Sequence, residues 1–179
     1  MREIGLLLSN YLLFTIMSCL LAAMQSSLWL HIFGFSPAPN LWLLVFNYWT
    51  LYRSPAEAVI MSYISTLILV SMSGIPLQMG FAVNLSLLGS IYMLRDRVLW
   101  SGVNSYILAC GLSSVLLPIY TFVWSWVFET PPLSDFHLFD IALRPLLTAA
   151  FALPLYYLFC FVDQFTQKEA PKETESELI

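Results

Sequence analysis

Few side chains in this chain have the type and spacing to do chemistry. The most suggestive pair is Asp140 and Arg144. At i and i+4 on a helix they share a face, and acid before base is the favourable order. Two readings of Arg144 follow. In one it snorkels to the membrane–water boundary and pairs with Asp140, as long cationic side chains do. In the other it faces inward, into a cavity open to the outside, and meets an anionic ligand or a partner protein. Pro145 beside it removes a backbone donor and loosens that turn. Gln25 and Gln78 sit in apolar surroundings toward the same predicted side and are candidates to line such a cavity. Asn10, Asn47, Asn84 and Asn104 are further amides in apolar stretches, each expected to make an interhelical hydrogen bond of about 0.6 kcal/mol.

Catalytic and metal-binding patterns are missing from the sequence. The two histidines, His31 and His137, fall at the predicted outer boundary without an HExxH spacing. A metal or an acid–base role would require them to converge in space. Cys19, Cys110 and Cys160 each lie inside an apolar run with no CxxC spacing, and read as small buried hydrophobes. There is no Walker A loop, no GxGxxG and no GxSxG. The predicted membrane core holds no pair of acids of the kind a proton relay uses. The expectation is therefore a protein without catalytic residues, metal or cofactor, and not an enzyme.

The elements that position these residues are membrane helices. The chain has 179 residues, of which 59% are hydrophobic and only 10% charged. A soluble domain carries about 25% charged residues, and the mean hydropathy of +0.79 points the same way. One membrane-embedded domain over residues 1–165 is expected. A charged tail over 166–179 follows it, holding Glu169, Glu173, Glu175 and Glu177, with a composition that favours disorder. No basic stripe is present, which argues against nucleic-acid binding. The apolar run from Ile4 to Leu30 exceeds the h-region of a signal peptide, about 7–15 residues, and reads as an uncleaved first helix.

Six helices are predicted: Gly5 to Leu30, Leu41 to Tyr52, Ala56 to Ser73, Leu77 to Leu94, Gly102 to Phe128, and Leu138 to about Val162. The prolines after His31 end the first, and Asn40 is a candidate cap for the second. Leu41 to Tyr52 is marginal for a crossing, which takes about 20 residues. Its Trp42, Asn47, Tyr48, Trp49 and Tyr52 read as amphipathic, with aromatics that favour the interface. Ser54 and Pro55 are the cap and first residue of the third helix. Pro118 is expected to kink the fifth. Gly80, Gly89, Gly111, Ser113 and Ser114 read as points of close helix approach. Positive charge alternates between the breaks. Arg2, Arg53, Arg95 and Arg97, and Lys168 and Lys172 mark one side, while Glu129 and Asp135 fall on the other. Positive charge is retained on the cytoplasmic side, so both termini are expected there, with Arg53, Arg95 and Arg97 as anchors. Arg144 is the cation left facing outward.

Pro39-Asn40-Leu41-Trp42-Leu43-Leu44-Val45-Phe46-Asn47-Tyr48-Trp49-Thr50-Leu51, followed by Arg53 and Pro55, resembles the rod shape-determining MreD family. The run Gly80 to Trp100, with Tyr92-Met93-Leu94-Arg95 and Leu99-Trp100, is similar as well. The resemblance implies a non-enzymatic scaffold in the bacterial inner membrane that binds MreC and supports peptidoglycan synthesis. It works there with the RodA glycosyltransferase, a penicillin-binding transpeptidase and, indirectly, MreB filaments. It also implies a fold similar to the six-helix substrate-binding components of energy-coupling-factor transporters. Many members carry an Asp late in the third helix, whereas Leu67 to Gly74 here has no acid; a role for that acid does not carry over. Trp124, Trp126, Phe128, Phe136 and Phe139 then become partner contacts or, residue by residue, an aromatic belt. The alternative is a solute-binding membrane component of a transporter, with Arg144 together with Gln25 or Gln78 fixing an anionic ligand.

Overall fold

The computed structural model describes residues 2–34, 36–95, 102–129 and 138–167, omitting the side chains of 2–4 and 138–141. Arg97, Asp135, Phe136, His137, Lys168 and the rest of the tail fall outside this range, as does the side chain of Asp140. Among the described residues all regular structure is helical. Helix α1, Arg2–Ala23, runs through a π-helical turn, Met24–Leu28, into α2, Trp29–Phe33. Then come α3, Trp42–Tyr52; α4, Pro55–Ser73; α5, Leu77–Arg95; α6, Val103–Phe128; and α7, Leu138–Phe165. Five stretches are long and apolar enough to cross a membrane: Gly5–Phe33, Pro55–Ser73, Leu77–Arg95, Val103–Phe128 and Ala142–Phe165. The chain is built as a multi-pass membrane protein.

Local chemistry accounts for most boundaries. Ser54 and Glu57 form a capping box at the start of α4: Ser54 Oγ accepts from the Glu57 N–H, and Glu57 Oε2 accepts from the Ser54 N–H. Pro55 at the first helical position needs no donor there. Gly74 ends α4 at φ 68°, a left-handed conformation that favours glycine. Helix α7 runs past the expected stop near Val162 to Phe165.

Helix α3 departs from expectation. Its 11 residues rise about 16 Å, roughly half of a hydrocarbon core about 30 Å thick. Trp42, Tyr48 and Trp49 do not sit at an interface, and only Tyr52 at the helix end is half-buried. Every residue from Trp42 to Leu51 is buried. A helix that is apolar all round is stable only when surrounded, and the bundle provides that. Helices α1, α4, α5, α6 and α7 form a ring in that order, with α3 packed against all five from the centre. One side of α3, with Leu44, Val45, Tyr48 and Trp49, packs on Phe14 of α1, Tyr106 of α6 and Tyr156 and Phe159 of α7. The other, with Trp42, Leu43 and Phe46, packs on Ile68 of α4 and Met79, Val83 and Leu87 of α5. The ring is tightest between α6 and α7 and thinnest where α7 returns to α1.

Helices pack in lipid mainly by close van der Waals contact, so small residues matter where backbones approach. Gly80 of α5 is such a place: a Cβ there would lie 2.8 Å from Val70 Cγ2 and 3.2 Å from Thr66 Cγ2 of α4. Gly111 would meet Ala149 Cβ at an ordinary 3.9 Å, and Gly89 faces open space. Gly80→Ile is therefore expected to lower stability by about 1–3 kcal/mol through overpacking. Gly89→Ala should hold or raise it by up to about 1 kcal/mol, the helix-propensity difference. Thermal unfolding of the two variants in detergent checks the contrast, and equal effects would contradict the α4–α5 contact.

Candidate functional site

A helix that starts and stops inside a bundle leaves orphan N–H groups at one end and orphan carbonyls at the other. The polar side chains of this chain collect at those two ends of α3. At its N-terminal end the segment 36–41 turns inward, with Pro37, Pro39 and Asn40 buried. Asn40 does not cap α3 with its side chain. Its amide Nδ2 donates to Ser114 Oγ of α6 at 2.9 Å, and its backbone N–H donates to Thr148 Oγ1 of α7 at 3.0 Å. The Leu41 N–H is taken by Gln25 Oε1 at 3.0 Å. Gln25 lies within the π-helical turn, where an extra residue re-aims the side chains of α1.

The residues singled out from the sequence separate at this end. Gln25 is half-buried and engaged with the α3 N-terminus. Thr148, which accepts from Asn40, donates its hydroxyl to the Arg144 carbonyl at 2.7 Å, so Arg144 stands one turn beyond this cluster. The Arg144 side chain is exposed. Gln78 is exposed on the first turn of α5, which the ring separates from α7 by α6. Gln25 and the turn of Arg144 are thus brought to one end of α3, and Gln78 is not brought to them. His31 is exposed, with Nδ1 at 2.9 Å from the Ser27 carbonyl; its expected counterpart, His137, lies outside the described residues.

The other end of α3 holds a site that the sequence reading missed. Asp163 of α7 is fully buried and pairs with the Arg53 guanidinium, whose side chain is only 3% exposed. Asn10 Nδ2 of α1 donates to the same oxygen, Oδ1, at 3.0 Å and to Thr166 Oγ1 at 2.7 Å. The Tyr48 hydroxyl donates to Oδ2 at 2.6 Å. Arg53 also lies over the Trp49 ring, 5.4 Å from its centroid, a cation–π contact. Helix α5 adds Arg95, whose Nη1 donates to the Thr50 and Arg53 carbonyls at 3.3 and 3.1 Å and closes the C-terminal end of α3. One carboxylate therefore joins α1, α3 and α7, with both oxygens engaged and the pair shut away from water. It ties helices together; it does not present a base or a nucleophile. A signal for it existed: Ala152, Tyr156, Phe159, Asp163 and Thr166 all face inward on α7 at helical spacing, and an acid on such a face asks for a partner.

Arg53 and Arg95 stand at this end together with Asn10 and Asp163. Arg144 is 19 residues back along α7 from Asp163, about 28 Å toward the opposite end. Arg53 and Arg95 thus share one end of the bundle, and Arg144 stands toward the other. The remaining amides divide. Asn47 donates to Ser113 across α3 and α6 at 2.5 Å, and Asn84 to Thr66 across α5 and α4 at 2.6 Å; Asn104 is exposed. Searches against protein-family models, curated proteins and solved structures found no significant match for this chain.

Removing one partner of a buried ion pair strands the other charge, which costs about 3–5 kcal/mol. Asp163→Ala is expected to show that loss in thermal or denaturant unfolding. The double variant Arg53→Met with Asp163→Leu should lose clearly less than the sum of the two single variants, because it leaves no unpaired charge; a remainder is expected from the Asn10 amide and Tyr48 hydroxyl, which lose their acceptor. Additive losses in the double variant would contradict the pairing. At the opposite end, Gln25→Ala removes one of the two acceptors of the Leu41 N–H, the Pro39 carbonyl at 3.0 Å being the other, and should cost about 0.5–1.5 kcal/mol, whereas Gln78→Ala should stay within about 0.5 kcal/mol of the parent.

Proposed function

We propose that this chain is a non-enzymatic scaffold in the bacterial inner membrane that serves the cell-elongation machinery. MreC is its direct partner, and RodA, a penicillin-binding transpeptidase and MreB filaments belong to the same assembly. The observation that carries the choice of scaffold over transporter is the position of α3. A solute-binding bundle needs an interior for its ligand. Here the centre is occupied by ten consecutive buried residues, Trp42–Leu51, whose large rings close-pack against the surrounding helices. Gln25 is engaged on the backbone of α3, and Gln78 faces away from it. The resemblance to MreD supplies the identity of the machinery, and the stretch that carries it, Pro39–Leu51 with Arg53, is this buried centre.

In this reading both termini, Arg53 and Arg95 face the cytoplasm and Arg144 faces outward. The working surfaces are then external. Exposed apolar side chains run along α1, among them Leu8, Leu12 and Leu20, and offer packing to the membrane segment of MreC. Trp126 and Phe128, exposed at the end of α6, and Arg144 offer contacts to its outer part, since aromatics and Arg are enriched at interfaces. Affinity purification of the tagged chain from detergent extract, with mass spectrometry, is expected to recover MreC. Arg144→Ala should reduce that recovery without reducing expression. Clean deletion in a rod-shaped host should give round cells. Normal rods, or a trapped small solute in place of MreC, would overturn the scaffold reading.

A further inference from the structure

We infer that the seam between α1 and α7 is a lateral gate, hinged at Pro154 and latched by Asp163. Three features converge on it. The seam is the thinnest junction of the ring. It is bridged at few levels: Trp29 against Phe151 with centroids 5.8 Å apart, Phe14 against Phe159 at 5.6 Å, and Asn10 on Asp163 and Thr166. Second, Pro154 lies inside α7 between the first and second of these bridges. A proline there removes the N–H to the carbonyl four residues back and makes the natural point of bending. The segment from Leu155 to Phe165 is thereby separable from the part of α7 that holds Thr148 at the N-terminal end of α3.

The third feature is the latch itself. Asp163 is the charged group that holds that segment to both α1 and α3, by Asn10, Arg53 and Tyr48, beside the ring contacts of Tyr156 and Phe159 with Phe14, Tyr48 and Tyr52. At the other end of α3 the side chains of Gln25, Asn40, Ser114 and Thr148 are all engaged. The end at Gln25 and Thr148 is the settled one, held by several neutral hydrogen bonds, and the end at Asp163 depends on one carboxylate. Release of Asp163 lets Leu155–Phe165 move from α1 and uncovers Phe14 and Tyr48, which are fully buried in the closed form.

The gate is tested by distance measurements between spin labels in the chain reconstituted in lipid nanodiscs, with Cys19, Cys110 and Cys160 replaced by Ala. One pair, Leu8→Cys and Phe165→Cys, spans the latched end at exposed positions. A second, Ile32→Cys and Leu146→Cys, spans the settled end, also at exposed positions. In the parent both distributions are expected to be narrow. Asp163→Asn should broaden the first and lengthen it by several ångströms while leaving the second unchanged. Adding Pro154→Ala should narrow the first again. An unchanged first pair, or equal broadening of both pairs, would overturn the gate. If Asp163→Asn does not yield folded protein, Asn10→Ala decides. It removes only the α1 arm of the latch and leaves the Arg53–Asp163 pair, and the same selective broadening is expected.

Discussion

A helix buried on every side within a membrane bundle cannot give its ends to water, and the rest of this structure follows from that constraint. Backbone donors and acceptors at membrane depth need partners inside the protein. Helix α3 draws them from four ring helices. Gln25 at the end of α1 and Thr148 of α7 take the N–H groups where α3 begins. Ser114 of α6 steadies Asn40, and Tyr106 of the same helix donates to the Leu44 carbonyl at 2.9 Å. Arg95 of α5 takes the carbonyls where α3 stops. Each contact fixes the height and rotation of the helix that supplies it. The central helix therefore acts as a register for the ring, through polar contacts where lipid would give apolar packing no strong preference.

The same constraint explains why Arg53 is turned inward. A cation at the end of a membrane helix ordinarily reaches for water. Here the chain must leave α3, form the Ser54–Glu57 capping box and enter α4 at once, so the Arg53 backbone stays within the bundle. Its charge is balanced by the acid that α7 carries one turn past Phe159. Two long-range demands, an ion pair for Arg53 and a closure for the α1–α7 seam, are met by one carboxylate. A buried pair of this kind adds little net stability compared with apolar side chains, and its contribution is to geometry. That suits a residue whose partners come from two other helices, α1 and α3.

Much of this architecture could be read from the sequence wherever a local rule decided it. Helix α4 begins at Ser54-Pro55 and ends at Gly74 because a cap, a fixed φ and a left-handed turn act within a few residues. The alternation of basic breaks placed Arg53 and Arg95 at one end for the same reason: charge counts need no tertiary knowledge. What failed were inferences that depend on distant partners. Asn40 has the chemistry of a cap, yet its contacts come from residues 74 and 108 positions away. The aromatics of α3 suit an interface and a core equally well in a membrane protein, and only the ring around them decides. Gln25 and Gln78 look alike in sequence; a π-helical turn and a helix rotation separate them. Asp163 was passed over because the apolar run seemed complete at Val162, one residue short.

A filled core also constrains what such a protein does. With the centre given to α3, the scaffold reading places the work on the outer surfaces, and these surfaces are only as fixed as the contacts behind them. Most of the ring is held by broad packing, which yields little to a single perturbation. The α1–α7 seam is different, because a few ring contacts and one buried carboxylate hold it. A partner that acts on this protein from within the membrane gains most leverage where the fewest interactions resist it. Asp163 marks that place. The cation that reads in sequence as a topological anchor is, in the folded chain, part of the contact that keeps the ring closed.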